Sequence, residues 1–271
     1  MKVLCSTGAL GGKGNFPSCE MIVSAFDKME VDGYELLVTS NWKEESENWC
    51  KTLKEAQISI PIVHFSKKIG DNLVKDEKGS NEIAIEIFDR NCHYAEILNV
   101  RQIVLHLWGW PDMNFSKVLE GYKELISISK TYGIEILVEM IPCREESLLK
   151  RMDQVLNVNP MCRFTLDSRF LKHQGLEKKI FMVDDLWKYN RVAHVHISDC
   201  LMGEDGVVKI SPILFPGEGI IDFPELFSNL LARNYNNYIT IESVAFNDNN
   251  KCIEFDKLNS CAKMIREVWK D

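Results

Sequence analysis

The sequence of 271 residues has no long apolar run and no closely spaced pair of cysteines. No stretch approaches the roughly 18 apolar residues of a membrane-spanning helix, so we expect no membrane partner. The nine cysteines are scattered without a C-x-x-C pair, which argues against a disulfide framework or a cysteine-based zinc site. We therefore expect free, mostly buried thiols and a cytoplasmic location. Residues Met1–Gly8 have the pattern of a first strand rather than a signal peptide.

The sequence also has fewer basic than acidic residues. Lys and Arg number 32 against 40 Asp and Glu, which gives a net charge of −8. Proteins that bind the phosphate backbone usually carry the opposite balance, so nucleic acid is a disfavoured partner. Hydrophobic residues at 45% and charged residues at 27% are ordinary for a globular protein, and this composition excludes intrinsic disorder for the bulk of the chain.

Short apolar runs rich in β-branched residues predict eight strands, with longer amphipathic segments between them. The runs are Val3–Ser6, Tyr34–Thr39, Ile60–Phe65, Gln102–Leu107, Ile134–Ile141, Arg163–Asp167, Val192–Ser198 and Tyr238–Ser243. The clearest helices are Ser80–Leu98, Phe115–Tyr132 and Asp256–Trp269. Eight strand–helix units divide the chain into about 34 residues each, the size of a β-α repeat. No linker interrupts it. The sequence therefore predicts an α/β fold, a (β/α)₈ TIM barrel in a single domain of residues 1–271.

Charged residues stand near the carboxyl ends of these strands, where barrels place their chemistry. Glu139 lies in the fifth strand, Asp167 ends the sixth, His196 lies in the seventh and Glu242 follows Ile241 in the eighth. An acid in an apolar strand costs free energy unless it is paired or bound to a metal. Singly, each has an ordinary explanation, and Asp167 could simply cap the next helix. Together, three carboxylates and one imidazole predict a site for Mn²⁺, Mg²⁺, Co²⁺ or Zn²⁺.

Other residues at the strand ends are candidates for substrate contacts. His64 ends the third strand and His106 the fourth, and either could instead be a hydrogen-bonded core residue. Trp108 and Trp110 suggest an apolar wall for stacking on a substrate, with plain packing as the alternative. Three cations just beyond strand ends are expected to be solvated more often than bound to substrate: Lys67, Lys68 and Arg169. Two longer irregular segments, Ser66–Gly79 and Cys200–Ile221, follow the third and seventh strands.

Several short strings occur in order along the chain: VEM, LDS, HVHISD, FPGEGIIDF and IES. This ordered set resembles the sugar-phosphate isomerase/epimerase proteins of the xylose-isomerase-like TIM-barrel superfamily over nearly the whole chain. The superfamily also includes endonuclease IV, inosose isomerase-type proteins, hydroxypyruvate isomerase and the ketose 3-epimerases. The resemblance implies that the metal ligands are Glu139, Asp167, His196 and Glu242.

The resemblance also suggests roles for residues around this quartet. Glu35 matches the acid of the family's second strand and is expected in the substrate site, together with His64, His106 and Trp108. His64 and His106 match zinc-binding positions of endonuclease IV, but we assign them to substrate hydrogen bonding. Asp199 is expected to orient one of the metal ligands without binding the metal itself.

The sequence departs from the family pattern in three places, one of which is the absence of the Arg that often precedes the glycine turn, here Gly217–Gly219, in sugar epimerases. Phe170 stands where many relatives have a histidine. The segment 211–215 lacks the Asp-x-His pair that supplies the third zinc of endonuclease IV. The expected function is therefore a divalent-metal-dependent isomerase or epimerase that acts on a sugar, a sugar phosphate or a related polyol ketone. Its reaction would run through an enediolate, with Glu139 and Glu242 as the two proton-transfer groups.

Three alternatives remain open at this stage. A metal-dependent dehydratase of the inosose type would use the same proton abstraction and then expel a hydroxyl group. An endonuclease IV-like phosphodiesterase is disfavoured by the missing third-zinc ligands. A sugar-binding protein without catalysis is disfavoured by the complete quartet. The expected partner is a small-molecule sugar or sugar phosphate, and a homo-oligomer is left open.

Overall fold

The computed structural model describes residues 1–11, 16–39, 42, 46–109 and 114–270. Eight parallel strands form a closed barrel and follow one another around it in sequence order. They are β1 (Lys2–Ser6), β2 (Gly33–Leu37), β3 (Ile62–His64), β4 (Gln102–Leu105), β5 (Glu135–Glu139), β6 (Arg163–Asp167), β7 (Val192–Ile197) and β10 (Tyr238–Ile241). The predicted (β/α)₈ TIM barrel is therefore confirmed. The assignment of all residues 1–271 to this one domain stays a prediction.

Helices follow the barrel strands along the chain. The α-helices are α1 (Cys19–Phe26), α2 (Ser46–Glu55), α3 (Lys68–Leu73), α4 (Ser80–Ile97), α5 (Phe115–Thr131), α6 (Leu148–Val158), α7 (Ser168–His173), α8 (Asp184–Lys188), α9 (Phe223–Ala232) and α10 (Phe255–Val268). Short 3₁₀ helices span Thr7–Leu10 and Lys179–Met182. The three helices predicted most clearly are α4, α5 and α10, and their observed ends lie within one residue of the prediction.

One compact unit consists of Met1–Glu35 and Thr165–Asp271. Its core is formed by apolar residues of β1, β7 and β10 and of helices α9 and α10, among which Leu4, Ile239 and Leu258 have no exposed surface. The segment expected to be irregular after the seventh strand forms an antiparallel hairpin of β8 (Asp199–Met202) and β9 (Val208–Leu214). Two further two-residue strands pair near the C-terminus: β11 (Phe246–Asn247) and β12 (Cys252–Ile253).

The other compact unit is Leu36–Phe164. Large aromatic side chains of strand β3's end and helices α4 and α5 fill its core: Phe65, Phe88, Tyr94 and Tyr122 are at most 1% exposed. The rings of Phe65 and Phe88 meet edge to face with their centroids 5.3 Å apart, a favourable arrangement for aromatic pairs. These contacts fix the end of β3, and thus His64, against the outer helices.

Two further expectations concern the membrane and the thiols. Within the described ranges, no helix has both the length and the apolar content that crossing a bilayer requires. All nine cysteines are free, and eight of them are buried, so the expectation of free, mostly buried thiols is confirmed. Burial raises the pKa of the Cys200 thiol to about 11 and that of Cys261 to about 12. Both are therefore neutral thiols at neutral pH, which makes them unreactive.

The packing of α4 gives a first test of the structure. Phe88→Ala removes a fully buried ring and should lower the free energy of unfolding by about 3–5 kcal/mol, because it leaves a cavity beside Phe65. The matched control is Ile83→Ala on the same helix, where the side chain is 48% exposed and the expected change is within about 0.5 kcal/mol. Urea denaturation measures both. Equal effects of the two substitutions would contradict the orientation of α4.

Candidate active site

The predicted site residues lie at or next to strand ends, as the sequence predicts. His64 is the last residue of β3, Glu139 of β5 and Asp167 of β6. His196 is the penultimate residue of β7, and Glu242 directly follows β10. Four of these five are at most 1% exposed. The residue before each of them in the sequence is apolar and buried, so each polar group follows an apolar residue of its strand.

In the Leu36–Phe164 unit, His64, His106 and Glu139 form one cluster. One ligand atom of each lies within 4.8 Å of the others. Oε2 of Glu139 is 2.6 Å from Nε2 of His106 and 3.4 Å from Nε2 of His64. The short approach to His106 lacks hydrogen-bond geometry. Two imidazoles and a carboxylate that converge in this way could bind one metal ion. They could instead hydrogen-bond one oxygen of a substrate.

Burial determines the charge of His106. It lowers the pKa of this imidazole to about 4, and nearby Lys67 lowers it further, whereas Glu139 opposes the shift. The ring is therefore neutral at neutral pH and has one nitrogen lone pair available. A neutral imidazole is the form that accepts a substrate hydroxyl or binds a metal. The substrate-binding roles of His64 and His106 stay predictions.

Trp108 packs inside the same unit. Its side chain is 1% exposed, its ring meets Phe115 edge to face at 5.5 Å, and its indole N–H donates to the carbonyl of Pro142 over 3.4 Å. These contacts correspond to the packing alternative considered for Trp108, and its role in sugar stacking stays a prediction. Trp110 lies outside the described residues.

In the unit of Met1–Glu35 and Thr165–Asp271, Asp167, His196 and Glu242 form a second cluster. Each offers a ligand atom within 4.8 Å of the other two. Asp167 and His196 have no exposed surface, and the Glu242 side chain is 15% exposed. Nδ1 of His196 lies 3.5 Å from Oε1 of Glu242. Two carboxylates and an imidazole at this spacing suit Mn²⁺, Mg²⁺, Co²⁺ or Zn²⁺.

Arg169 has an environment different from the one that the sequence predicted. It was expected to be solvated, yet it is only 5% exposed. Its guanidinium lies 3.1 Å from Oδ2 of Asp167 and 3.6 Å from Oε2 of Glu242, and donates to Oγ of Ser198 and the carbonyl of Ile210. The cation therefore joins two predicted metal ligands. No local signal reveals this, because Ser198 and Ile210 are distant in sequence.

Asp167 also has the capping role that was considered as its alternative. Its Oδ1 accepts hydrogen bonds from the backbone N–H groups of Arg169, at 2.7 Å, and Phe170, at 3.1 Å, at the start of α7. The other oxygen, Oδ2, faces the Arg169 guanidinium. Capping therefore uses Oδ1 alone, and any metal bound by Asp167 would share Oδ2 with the Arg169 guanidinium. Phe170, at the position where many relatives have histidine, is buried on α7.

Glu35 lies behind His196. Its Oε2 is 2.6 Å from Nε2 of His194, 3.0 Å from Nε2 of His196 and 2.9 Å from the Thr240 hydroxyl. Burial by itself would raise the pKa of this carboxyl, but the facing imidazoles of His196 and His194 outweigh it and hold the pKa well below its usual range. Burial lowers the pKa of His194. The Glu35 side chain has no exposed surface. Its substrate-binding role stays a prediction.

Asp199 organises the connection that follows β7. Its carboxylate accepts five backbone hydrogen bonds of 2.8–3.0 Å, from Cys200, Gly217, Gly219, Ile220 and Ile221. Gly219 is required at this turn, because a Cβ there would collide with the Cys200 carbonyl and with Asp199 Oδ1. The glycine at position 219 of the FPGEGIIDF string is thus explained by the close approach of Cys200 and Asp199. The predicted role of Asp199 in orienting a metal ligand stays a prediction.

The comparisons with known proteins agree with this architecture. The family described as xylose isomerase-like TIM barrel matches residues 23–258. The chain belongs to this family. Among characterised relatives, the inosose dehydratase of Glaesserella parasuis serovar 5 is 26% identical over 171 residues, which cover 58% of this chain and 56% of the relative. That of Yersinia enterocolitica is 26% identical over 152 residues, 49% of each chain. The chain thus spans about half the length of the curated relatives that it matches.

Solved structures resemble the chain over almost its whole length. The crystal structure of IolI protein with a zinc atom has a TM-score of 0.74 and 19% identity, and the alignment covers 99% of this chain and 98% of that one. The D-allulose 3-epimerase from Methylomonas sp., in complex with D-allulose, has a TM-score of 0.73 and 15% identity, with 99% and 97% covered. At these identities the likeness establishes the fold alone.

The Arg169 contacts give a test of the second cluster. Arg169→Met removes the cation beside buried Asp167 and should lower the free energy of unfolding of the metal-free protein by about 3–5 kcal/mol, because it leaves a buried charge without its partner. The control is Lys209→Met, which breaks an exposed ion pair with Asp205 and should cost about 1 kcal/mol or less. Guanidinium denaturation compares them. A loss for Arg169→Met no larger than the control's would contradict the buried pairing.

Proposed function

We propose that the protein is a divalent-metal-dependent isomerase or epimerase of a sugar, a sugar phosphate or a related polyol ketone. The observation that carries this proposal is the cluster of Asp167, His196 and Glu242, whose ligand atoms lie within 4.8 Å of one another at the carboxyl ends of barrel strands. Family membership and the epimerase-like fold support it. The proposed partner is a small-molecule sugar or sugar phosphate.

We assign Glu139 as the fourth ligand of the proposed metal. It ends β5, the strand next to β6 in the barrel order, and a fourth oxygen would complete the set of three carboxylates and one imidazole. When bound, the divalent ion supplies Lewis-acid stabilisation of the enediolate. Asp167 and His196 would hold the ion through donor atoms that are fully buried. The identity of the ion, Mn²⁺, Mg²⁺, Co²⁺ or Zn²⁺, belongs to the proposal.

The proposed reaction moves one proton at a carbon next to a carbonyl. One carboxylate, Glu139 or Glu242, takes this proton while the electron pair of the broken C–H bond enters the enediolate. A carboxyl group then returns a proton to the same carbon, which gives the epimer, or to its neighbour. In the second case the hydroxyl hydrogen of the enediol also passes to the other oxygen, and the product is the isomer. His64 and His106, both buried at strand ends, would hydrogen-bond substrate hydroxyls.

A dehydratase is the second candidate, and the inosose dehydratase relatives favour it. Its first step is the same proton abstraction, so the two candidates share the residues proposed above. They differ afterwards, because a dehydratase loses the hydroxyl on the next carbon as water. The mass of the product separates them: an isomer or epimer keeps the substrate mass, whereas a dehydrated product is lighter by one water. The cytoplasmic location and a homo-oligomer stay predictions.

The two-carboxylate scheme has a direct test. Glu139→Gln and Glu242→Gln should each lower kcat on a ketose or inosose substrate by about 10²–10⁴-fold, because each removes a proton-transfer group. The control is Glu96→Gln, since the Glu96 side chain is 55% exposed on α4 and should leave kcat unchanged. D-Allulose, D-tagatose and an inosose serve as first substrates, with products identified by chiral chromatography and mass. Near wild-type turnover by either glutamine variant would refute the scheme.

Metal dependence is tested separately from turnover. Dialysis against a chelator should abolish activity, because it removes the ion that Asp167, His196 and Glu242 are proposed to bind. Added Mn²⁺ should restore the activity. Asp167→Asn should weaken Mn²⁺ binding in calorimetry, since it removes one charged oxygen donor. Asp205→Asn, in the exposed pair with Lys209, serves as the control and should bind Mn²⁺ like the wild type. Full activity in the chelated protein would refute the metal requirement.

A further inference from the structure

Two imidazole nitrogens and a hydroxyl converge on one oxygen of Glu35. Nε2 of His194, Nε2 of His196 and the hydroxyl of Thr240 all lie 2.6–3.0 Å from Glu35 Oε2. None of the four side chains has any exposed surface. The printed contacts of Oε2 are therefore all made inside the protein, and a carboxylate oxygen with three such neighbours has few lone pairs left.

The two nitrogens of His196 face different groups. Nε2 faces Glu35 at 3.0 Å, and Nδ1 faces Glu242, with 3.5 Å between Nδ1 and Oε1. A neutral imidazole has one N–H and one lone pair, and an ionised carboxylate only accepts. Both nitrogens face a carboxylate, and Nε2 is the nearer of the two, at 3.0 Å against 3.5 Å, so the hydrogen is assigned to Nε2 and the Nδ1 lone pair to the side of Glu242. The partner of one ring nitrogen thus decides what the other nitrogen can bind.

We propose that Glu35 is a positioning residue that holds His196 in the tautomer whose Nδ1 binds the divalent ion. The metal part of this inference rests on the proposed function. A carboxylate that accepts the second N–H of a metal-binding histidine fixes its ring orientation and raises its basicity. Loss of such a partner typically weakens metal binding by about 10–100-fold.

His194 and Thr240 hold Glu35 in place. In the register of β7 with β10, Thr240 is paired with His196 and Tyr238 with His194. Both histidines therefore point to the same side of β7, which is the side from which Thr240 also reaches Glu35. Nδ1 of His194 is buried and has no hydrogen-bond partner among the described atoms, which agrees with a neutral ring whose hydrogen is on Nε2. Each donor thus supports the same position of the carboxylate.

The first measurement is metal affinity. Metal-free wild-type protein and Glu35→Gln are titrated with Mn²⁺ by calorimetry, and the variant should bind about 10–100-fold more weakly. The matched control is Glu47→Gln, because Glu47 is an exposed carboxylate 3.4 Å from Nε2 of His93, and its affinity should equal that of the wild type. If Glu35→Gln fails to fold, Thr240→Val replaces it, with an expected loss in the same direction but smaller.

The second measurement is the His196 tautomer in the metal-free protein, read from ¹⁵N shifts of labelled histidine. Nε2 should carry the hydrogen in the wild type and in Glu47→Gln, and Glu35→Gln should lose this preference. Hydrogen on Nδ1 in the wild type would overturn the proposal. So would a Glu35→Gln protein with lower thermal stability but unchanged tautomer and Mn²⁺ affinity, since a merely structural role predicts that result. If the wild type binds no Mn²⁺, the proposed function fails, while the tautomer still decides whether Glu35 sets the position of the hydrogen.

Discussion

The cost of burying charged and polar groups at the ends of apolar strands governs this structure. Glu35, Asp167 and Asp199 have no exposed surface, and an unpartnered carboxylate in such a place would cost several kcal/mol. Each has a different compensation: imidazoles and a hydroxyl for Glu35, a guanidinium and helix N–H groups for Asp167, and five backbone amides for Asp199. The arrangement of these partners determines which donor atoms remain available for a ligand.

The sequence predicted the barrel and the positions of the candidate ligands, because both depend on local patterns. β-Branched apolar runs marked every barrel strand, and each candidate ligand lies at the end of one. The contacts that organise these ligands are not local. Glu35 is 159 residues from His194 and 161 from His196 in sequence, and Arg169 reaches Ile210 across 41 residues. No periodicity encodes such pairings, and for that reason Arg169 was expected in solvent.

The hairpin β8–β9 was missed for a related reason. Its strands are largely exposed, so their side chains lack the apolar pattern that marks a buried strand.

The proposed site indicates a type of chemistry but does not identify a particular substrate. Removal of a proton next to a carbonyl is common to epimerisation, isomerisation and dehydration, and a cluster of carboxylates with a divalent ion suits all three. Their products diverge through the fate of the neighbouring hydroxyl group.

The bonds of Asp199 have a consequence for how this family member can change. One side chain binds Cys200 at the start of the hairpin and Gly217, Gly219, Ile220 and Ile221 after its end. Both ends of the intervening segment are thereby anchored to the residue that follows β7. Insertions, deletions or exchange of the hairpin tip around Gly206 leave the anchor and His196 undisturbed. The tip of the hairpin is the part that can be exchanged without rebuilding the strand that carries the histidines, whereas β9 itself supplies the Ile210 carbonyl that Arg169 contacts.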